Sequence, residues 1–188
     1  SDEYPSEVNI RGYKPNTTVH VGQVKKACSI ISKAKRPLFL LGGGVSISGA
    51  NDLMMKLVEK TGIPAVTTLM GKGAIDSRHP LYLGNIGIHG GYAPNVALTD
   101  CDVMISIGTR FNDRITGKLS TFAQNCKIIH IDVDAASISK NIKVDIPIVA
   151  DAKLAIEKLL EYIEPHDLGE WPAQLQQLKA DRPVTQAG

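Results

Sequence analysis

The chain has 188 residues, of which 43% are hydrophobic and 21% charged, and this balance excludes a largely disordered protein. Its length suits one well-buried domain with a short tail. A net charge of +2 and an aromatic content of 5% argue against nucleic-acid binding through basic patches or stacked rings. No apolar stretch approaches a membrane span, so we expect no membrane partner and a cytoplasmic, bacterial-type protein without a targeting segment.

The first half of the chain predicts alternating helices and strands after a polar, proline-punctuated lead-in at residues 1–19. In VGQVKKACSIISKAK the apolar residues recur at helical spacing, with lysines on the other side. LFLL is a short apolar strand that ends in three glycines, and AVTTLM is a second strand. Between them, NDLMMKLVEK is predicted to be a helix that Ser48 caps and Gly62 ends.

The second half begins with a glycine-rich stretch at residues 71–91, which predicts a long loop with at most short elements. A brief helix around residues 93–100 leads to the strand DVMISIG. KIIHIDVD and DIPIVAD are two further strands, and AKLAIEKLLEYI is a final amphipathic helix. Residues 164–188 are punctuated by prolines and predict a tail or linker that carries one short helix.

The predicted strands are apolar along their whole length, which indicates that both faces of the sheet are covered. Helices alternate with these strands, and that alternation is typical of a parallel sheet. The fold class is therefore α/β: a three-layer α/β/α domain with a mostly parallel, roughly six-stranded, Rossmann-like sheet.

Cysteines and histidines predict no catalytic or metal site in this chain. Cys28, Cys101 and Cys126 form no C-x-x-C pair, so we expect free thiols in a reducing compartment, buried in the core. The histidines lack metal-ligand spacing, and only His89, inside IGIHGG, is kept open as functional. No Ser/His/Asp or Cys/His set nominates a nucleophile.

Glycine, hydroxyl, arginine and aspartate residues follow the predicted strands. In order, these strand ends are Gly42 to Gly44, Thr68 to Gly71, Gly108 to Arg114, Asp132, Asp134 and Asp151. Ligands of such sheets collect at the carboxyl ends of the strands. Glycines admit a close backbone approach, arginines pair with phosphate, and a carboxylate accepts ribose hydroxyls. Together these residues favour a nucleotide with a diphosphate.

Each of these signals also has a plainer interpretation. The three glycines suit an ordinary tight turn, Asp132 suits the cap of a helix starting near Ala135, and GTRFNDRITG suits a solvated loop. A standard NAD site is disfavoured, because GGGVSISGA does not read G-x-G-x-x-G and the second strand ends in TTLM without an acid. The acidic candidate comes later, at Asp132 or Asp134.

Seven stretches resemble the central domain of acetohydroxyacid synthase (acetolactate synthase), a thiamine-diphosphate enzyme of branched-chain amino-acid biosynthesis. They are RGYKPN, GGGVSISGA, TTLMGKGAID, YLGNIGIHGG, GTRFNDRITG, HIDVDAASISKN and DIPIVAD, in the family's order. The resemblance implies a central FAD-binding domain at residues 20–164. It makes residues 1–19 a lead-in from a missing N-terminal domain and residues 165–188 a tail or linker to a missing C-terminal domain.

Further expectations come from the same resemblance. The full enzyme condenses pyruvate with a second 2-oxo acid, and it carries thiamine diphosphate and Mg²⁺ between its first and third domains. Its partners are a second copy of the chain, as a homodimer or tetramer, and a regulatory small subunit. The FAD of the central domain is largely structural, since acetolactate formation involves no net redox change. We expect the 188-residue chain alone to be inactive.

The resemblance also implies which residues contact FAD. They are Arg11, Gly42, Gly43, Gly44, Thr68, Leu69, Met70, Gly87, Ile88, His89, Gly108, Arg110, Asn112, Arg114, Asp132, Val133, Asp151 and Ala152. Two of these depart from the family's pattern, which usually reads Arg-Phe-Asp-Asp-Arg where this chain has Asn112 and often has methionine where this chain has Ile88. Both changes preserve shape.

An alternative is the middle domain of a related thiamine-diphosphate enzyme: a pyruvate oxidase, a decarboxylase or a catabolic acetolactate synthase that lacks FAD. The arginine loop at residues 108–117 together with Arg11 favours FAD, because a decarboxylase has no need of them.

Overall fold

The computed structural model describes residues 18–87, 91–134 and 142–181. Within these ranges no helix is long and apolar enough to cross a membrane. The elements are α1 (Val21–Ser32), β1 (Pro37–Leu41), α2 (Gly44–Ile47), α3 (Asn51–Thr61), β2 (Ala65–Thr67), a 3-10 turn (Leu69–Gly71), β3 (Tyr82–Asn85), α4 (Tyr92–Asp100), β4 (Val103–Ile107), α5 (Asp113–Phe122), β5 (Lys127–Asp132), β6 (Ile146–Val149), α6 (Ala152–Tyr162) and α7 (Trp171–Asp181).

The six strands form one sheet in the order β3-β2-β1-β4-β5-β6, and every neighbouring pair is parallel. The predicted fold class is confirmed. The chain builds outwards from β1 to β3, returns to the middle at β4, and then builds outwards on the other side. The strand order therefore reverses between β1 and β4, and the crevice at their carboxyl ends is where sheets of this kind bind ligands.

Both faces of the sheet are covered, as the apolar strands predict. Successive side chains of a strand point to opposite faces, so Phe39 and Leu41 enter one core while Leu38 and Leu40 enter the other. The first core contains the apolar faces of α1, α3 and α6, and the second contains those of α4, α5 and α7. The helices thus form two outer layers around the sheet.

Two local expectations were wrong, and one helix was not predicted. The second strand ends at Thr67 instead of Met70, because Thr68 begins a 3-10 turn and its side chain accepts from the Gly71 N–H. The short strand β3 lies inside the glycine-rich stretch, which was expected to hold at most short elements. Helix α5 was not predicted, because the charged residues of the arginine loop conceal the apolar spacing of its buried face. Ser48 does not cap α3; its hydroxyl donates to the Val45 carbonyl.

The C-terminal helix α7 packs into the second core. Trp171 is buried and its indole N–H donates to the Pro37 carbonyl at 2.7 Å, and Leu175 is also buried. At the edge of the sheet, the ammonium group of Lys179 donates to the Tyr82 carbonyl of β3. Residues 171–181 are therefore part of the same folded unit as the sheet.

All three cysteines are free thiols, as predicted, and Cys28 and Cys101 are buried. Burial raises the pKa of the Cys28 thiol to about 11. A thiol that resists ionisation is a poor nucleophile, so Cys28 serves the core.

Candidate functional site at the carboxyl edge of the sheet

A ladder of backbone hydrogen bonds continues past the ends of the strands and ties the six following loops into one edge. From one side to the other, the bonds are Ile86 N–H to Thr67 O (2.8 Å), Thr68 N–H to Leu41 O (3.0 Å), Gly42 N–H to Ile107 O (2.9 Å), Gly108 N–H to Ile131 O (2.8 Å) and Ala150 N–H to Asp132 O (3.0 Å). The candidate residues that follow these strands therefore share one edge, in a fixed order.

The glycines in the middle of this edge let the loops after β1 and β4 touch backbone to backbone. A Cβ on Gly42 would stand 2.3 Å from the Gly108 carbonyl oxygen, and a Cβ on Gly44 would stand 2.7 Å from the Gly108 Cα. Gly108 has φ +66°, a conformation that favours glycine. Because Gly42 and Gly44 donate their N–H groups to Ile107 and Gly108, these glycines serve the packing of the edge itself.

Large apolar side chains are exposed around these glycines. Leu69 is 60% exposed and Met70 79% exposed in the 3-10 turn, and Ile47 at the end of α2 is 88% exposed. The Met70 backbone lies against Gly43, where a Cβ would be 3.3 Å from the Met70 carbonyl oxygen. Leu69 and Met70 are candidate residues, whereas Ile47 carries no signal in the sequence that would nominate it.

The loop after β4 is anchored at every residue except its first arginine. Thr109 is buried and its hydroxyl lies 3.4 Å from the Leu40 carbonyl oxygen. Phe111 is buried and its carbonyl accepts from the Thr116 hydroxyl at 3.2 Å. The Asn112 side chain caps α5 by accepting from the Ile115 N–H at 2.9 Å. The loop is thus a fixed part of the edge.

Arg110 and Arg114 leave this anchored loop with their side chains exposed. In the described part of the chain, neither guanidinium has a hydrogen bond or an ion pair. Arg114 lies in the first turn of α5, where the helix dipole disfavours a positive charge. One of these cations lies on the anchored loop and the other on the helix that follows it, and together they suit an anionic ligand.

The ends of β5 and β6 contribute two aspartates with different surroundings. The Oδ2 atom of Asp132 is buried without any hydrogen-bond partner among the described residues. A buried acceptor without a partner is costly, so this oxygen fits a ligand hydroxyl. The Asp151 side chain instead caps α6 by accepting from the Lys153 N–H at 3.1 Å. Val133 is 54% exposed and Ala152 is buried.

His130 is a residue that the sequence interpretation missed. It lies on β5, is 2% exposed, and its Nε2 atom is 2.8 Å from the Thr109 carbonyl oxygen. Its ring stacks on Phe111 with centroids 4.1 Å apart and planes 6° from parallel. Burial lowers the pKa of His130, so the ring is neutral at neutral pH. The available signal was a polar residue among the buried isoleucines of the strand KIIHID, since such a residue needs a partner.

The structure thus brings most of the candidate residues to one edge of the sheet. Arg11, Ile88 and His89 lie outside the described residues, as does the segment from Ala135 that Asp132 was expected to cap as an alternative. In residues 18–87, 91–134 and 142–181, no group of three or more His, Cys, Asp or Glu residues has an arrangement that holds a metal ion.

Comparison with known proteins shows which family this chain resembles. Residues 24–159 match the family described as "Thiamine pyrophosphate enzyme, central domain". A probable acetolactate synthase large subunit from Methanococcus aeolicus is 54% identical over 160 residues, which are 85% of this chain and 27% of that protein. Another, from Methanocaldococcus jannaschii, is 49% identical over 178 residues, 93% of this chain and 30% of that protein.

An acetolactate synthase from Mycobacterium avium is 40% identical over 188 residues, covering 97% of this chain and 30% of that protein. The chain therefore spans about 30% of the length of these relatives. With the parallel six-stranded sheet and the match over most of its length, the chain belongs to the family of central domains of thiamine pyrophosphate enzymes.

Proposed function

We propose that this chain is the central domain of an acetolactate synthase and that its carboxyl edge binds FAD. The observation that carries the proposal is a contrast within one loop. Thr109, Phe111 and Asn112 are each held by internal contacts, while the guanidinium of Arg110 is exposed and has no partner in the part of the chain that the structure describes. The similarity to three acetolactate synthases, at 40–54% identity, supports the choice of enzyme.

The donor set of the edge fits a flavin dinucleotide. Arg110 and Arg114 would pair with the diphosphate, for which a planar guanidinium is well suited. The unpartnered Oδ2 of Asp132 would accept a ribose hydroxyl. The exposed Leu69 and Met70 would cover an apolar ring of the ligand. The remaining candidates from the family resemblance, including Arg11 and His89, belong to the same proposal.

Gly42, Gly44 and Gly108 support this site indirectly. Because these glycines have no side chain, the backbones of the loops after β1 and β4 come into direct contact. The arginine loop therefore lies beside the contact between Gly43 and Met70. When bound, FAD supplies a structural element and no redox step, because condensation of pyruvate with a second 2-oxo acid is redox-neutral. This chain's own residues therefore bind and orient the cofactor, and we assign none of them a catalytic role.

The catalytic groups of the whole enzyme belong, on this proposal, to domains beyond this chain. Thiamine diphosphate and Mg²⁺ would be held there, and the partners would be those domains, a second copy in a dimer or tetramer, and a regulatory small subunit, in the cytoplasm. Mixed with pyruvate, thiamine diphosphate, Mg²⁺ and FAD, the chain alone is expected to form no acetolactate above a buffer control, and any such turnover would contradict the assignment of the catalytic groups.

FAD binding is tested by titrating the 188-residue chain into FAD and following the quenching of flavin fluorescence. FMN is the matched control, since it has the same ring and ribityl chain but lacks the diphosphate and the adenosine ribose. We expect saturable binding of FAD and binding of FMN weaker by roughly tenfold or more, since charge-assisted contacts are lost. Equal binding of the two flavins would contradict the diphosphate contact, and no binding of either would favour an FAD-free relative.

A further inference from the structure

His130 links strand β5 to the loop after β4. Its Nε2 atom lies 2.8 Å from the carbonyl oxygen of Thr109, and its ring stacks on Phe111 at 4.1 Å. Thr109 and Phe111 are the two neighbours of Arg110 in the chain. One buried side chain therefore contacts the residue before and the residue after the exposed arginine.

The hydrogen bond fixes the state of the ring. A carbonyl oxygen only accepts, so the Nε2 atom carries the hydrogen and donates it to Thr109. Desolvation is the main cause of the lowered pKa of this imidazole, while the hydrogen bond to Thr109 and the charge of Asp132 act in the opposite sense. Since the contact needs only the Nε2–H tautomer of the neutral ring, it is complete at neutral pH.

The other anchors of this loop act elsewhere or are weaker. The Thr109 hydroxyl is 3.4 Å from both the Leu40 and the Ile107 carbonyl oxygens, at the long end of hydrogen-bond distances. The Asn112 side chain holds the start of α5, and the Thr116 hydroxyl donates to the Phe111 carbonyl over a longer distance of 3.2 Å. Among the described residues, the 2.8 Å bond from His130 is thus the shortest side-chain hydrogen bond to the peptide segment that presents Arg110.

We propose that His130 is a positioning residue for the ligand site: it holds the segment Thr109–Phe111 so that the Arg110 guanidinium points out of the carboxyl edge. The identity of the ligand rests on the proposed function of FAD binding, whereas the anchoring of the loop does not depend on it. His130 touches no ligand in this proposal and acts through Arg110. A role in core packing alone would affect the free energy of unfolding but leave the presentation of Arg110 unchanged.

Two variants separate these roles. His130→Ala removes both the bond and the stack, and Ile128→Ala removes packing from the same strand and the same face of the sheet, two residues earlier. Trypsin cleaves after arginine, so the rate of cleavage at Arg110, mapped by mass spectrometry, reports whether the loop is held. FAD titration reports the ligand contact. His130→Gln keeps a donor and His130→Phe keeps a ring, so each retains one of the two contacts.

We expect cleavage after Arg110 to be about tenfold faster in His130→Ala, and FAD binding about tenfold weaker, as for the loss of one to two contacts. His130→Gln and His130→Phe should fall between that variant and wild type, while Ile128→Ala should leave both quantities near wild type despite its lower stability. Similar cleavage rates in His130→Ala and Ile128→Ala would overturn the proposal. If wild type does not bind FAD, the proposed function fails, and the cleavage rates still decide the role of His130.

Discussion

The two ends of the sheet differ in how completely their polar side chains are satisfied by the described residues. At the amino end, side chains satisfy the backbone. The Asp102 carboxylate accepts from the N–H groups of Lys35 and Arg36 at 2.8 and 2.9 Å, just before β1. The Asp145 carboxylate accepts from the Ile128 N–H at 2.9 Å, at the start of β5. Each of these carboxylates satisfies backbone N–H groups at or just before the first residues of a strand.

At the carboxyl end, some side chains also serve the backbone, since Asn112 caps α5 and Asp151 caps α6, but other polar groups are left without a partner. The ladder bonds and the glycine contacts hold the loops together, while Arg110, Arg114 and the Oδ2 of Asp132 have no partner in the described chain. On the proposed function, this difference separates two uses of polar groups. Those at the amino end contribute to folding, whereas the unpartnered ones at the carboxyl end are available to a ligand.

The largest effect is expected from filling the glycine contact at the carboxyl end. In Gly42→Ala the new Cβ would stand 2.3 Å from the Gly108 carbonyl oxygen, which neither backbone can avoid by a side-chain movement. We expect the free energy of unfolding, measured by urea titration, to fall by about 3 kcal/mol or more.

The control for that variant is Gly117→Ala in helix α5, where a Cβ would have no atom within 4 Å. An alanine in a helix should stabilise by about 0.5–1 kcal/mol. Equal effects of the two substitutions would show that the close approach at Gly42 is absent.

The next prediction compares an aspartate from each end. Asp102→Ala removes two hydrogen bonds to backbone N–H groups, and we expect a loss of about 1–2 kcal/mol in unfolding free energy with FAD binding unchanged. Asp132→Asn removes a charge whose Oδ2 has no partner, so stability should hold while FAD binding weakens. Urea titration and flavin quenching on both variants check this. Weaker FAD binding in Asp102→Ala would contradict the assignment of Asp102 to stability alone.

A smaller effect is expected from acid, through His130. Burial lowers its folded-state pKa below the ordinary value of about 6.5, so the unfolded chain takes up the proton first. The stabilisation is therefore complete above about pH 6.5 and is lost as the pH falls from there towards the lowered pKa, with a slope of at most about 1.4 kcal/mol per pH unit. His130→Phe should remove this part of the pH dependence. Parallel stability–pH curves for the two proteins between pH 7 and 5 would contradict it.

The smallest effect is expected at the cap of α5. Asn112→Asp keeps an oxygen that accepts from the Ile115 N–H, and aspartate caps helices as well as asparagine does. Stability should therefore be unchanged within about 0.5 kcal/mol, whereas Asn112→Ala should lose about 1 kcal/mol. Thermal melts of the two variants make the comparison. A large loss of thermal stability in Asn112→Asp would mean that the added negative charge is repelled by another group at this end of the sheet.

Much of the fold could be predicted from the sequence because buried parallel strands are apolar throughout, as PLFLL and VMISI are. Strand β3 and helix α5 could not, since glycines conceal the first and a charged loop conceals the second. At the site, the exposure of Arg110 follows from its charge. The packing role of Gly42 and the anchoring role of His130 depend on contacts with residues 66 and 21 positions away in the chain, which no local pattern records.

The most direct test of the account is FAD titration of two arginine variants, one from each end of the sheet. Arg110→Ala removes, from the carboxyl end, a guanidinium that has no partner among the described residues. Arg36→Ala removes, from the amino end, a guanidinium whose Nε–H donates to the Asp100 carbonyl. We predict that Arg110→Ala weakens FAD binding by about tenfold or more with little change in thermal stability, and that Arg36→Ala binds like wild type. If wild type and Arg110→Ala bind FAD equally well, the arginine loop is merely solvated, and the carboxyl edge does not hold the diphosphate.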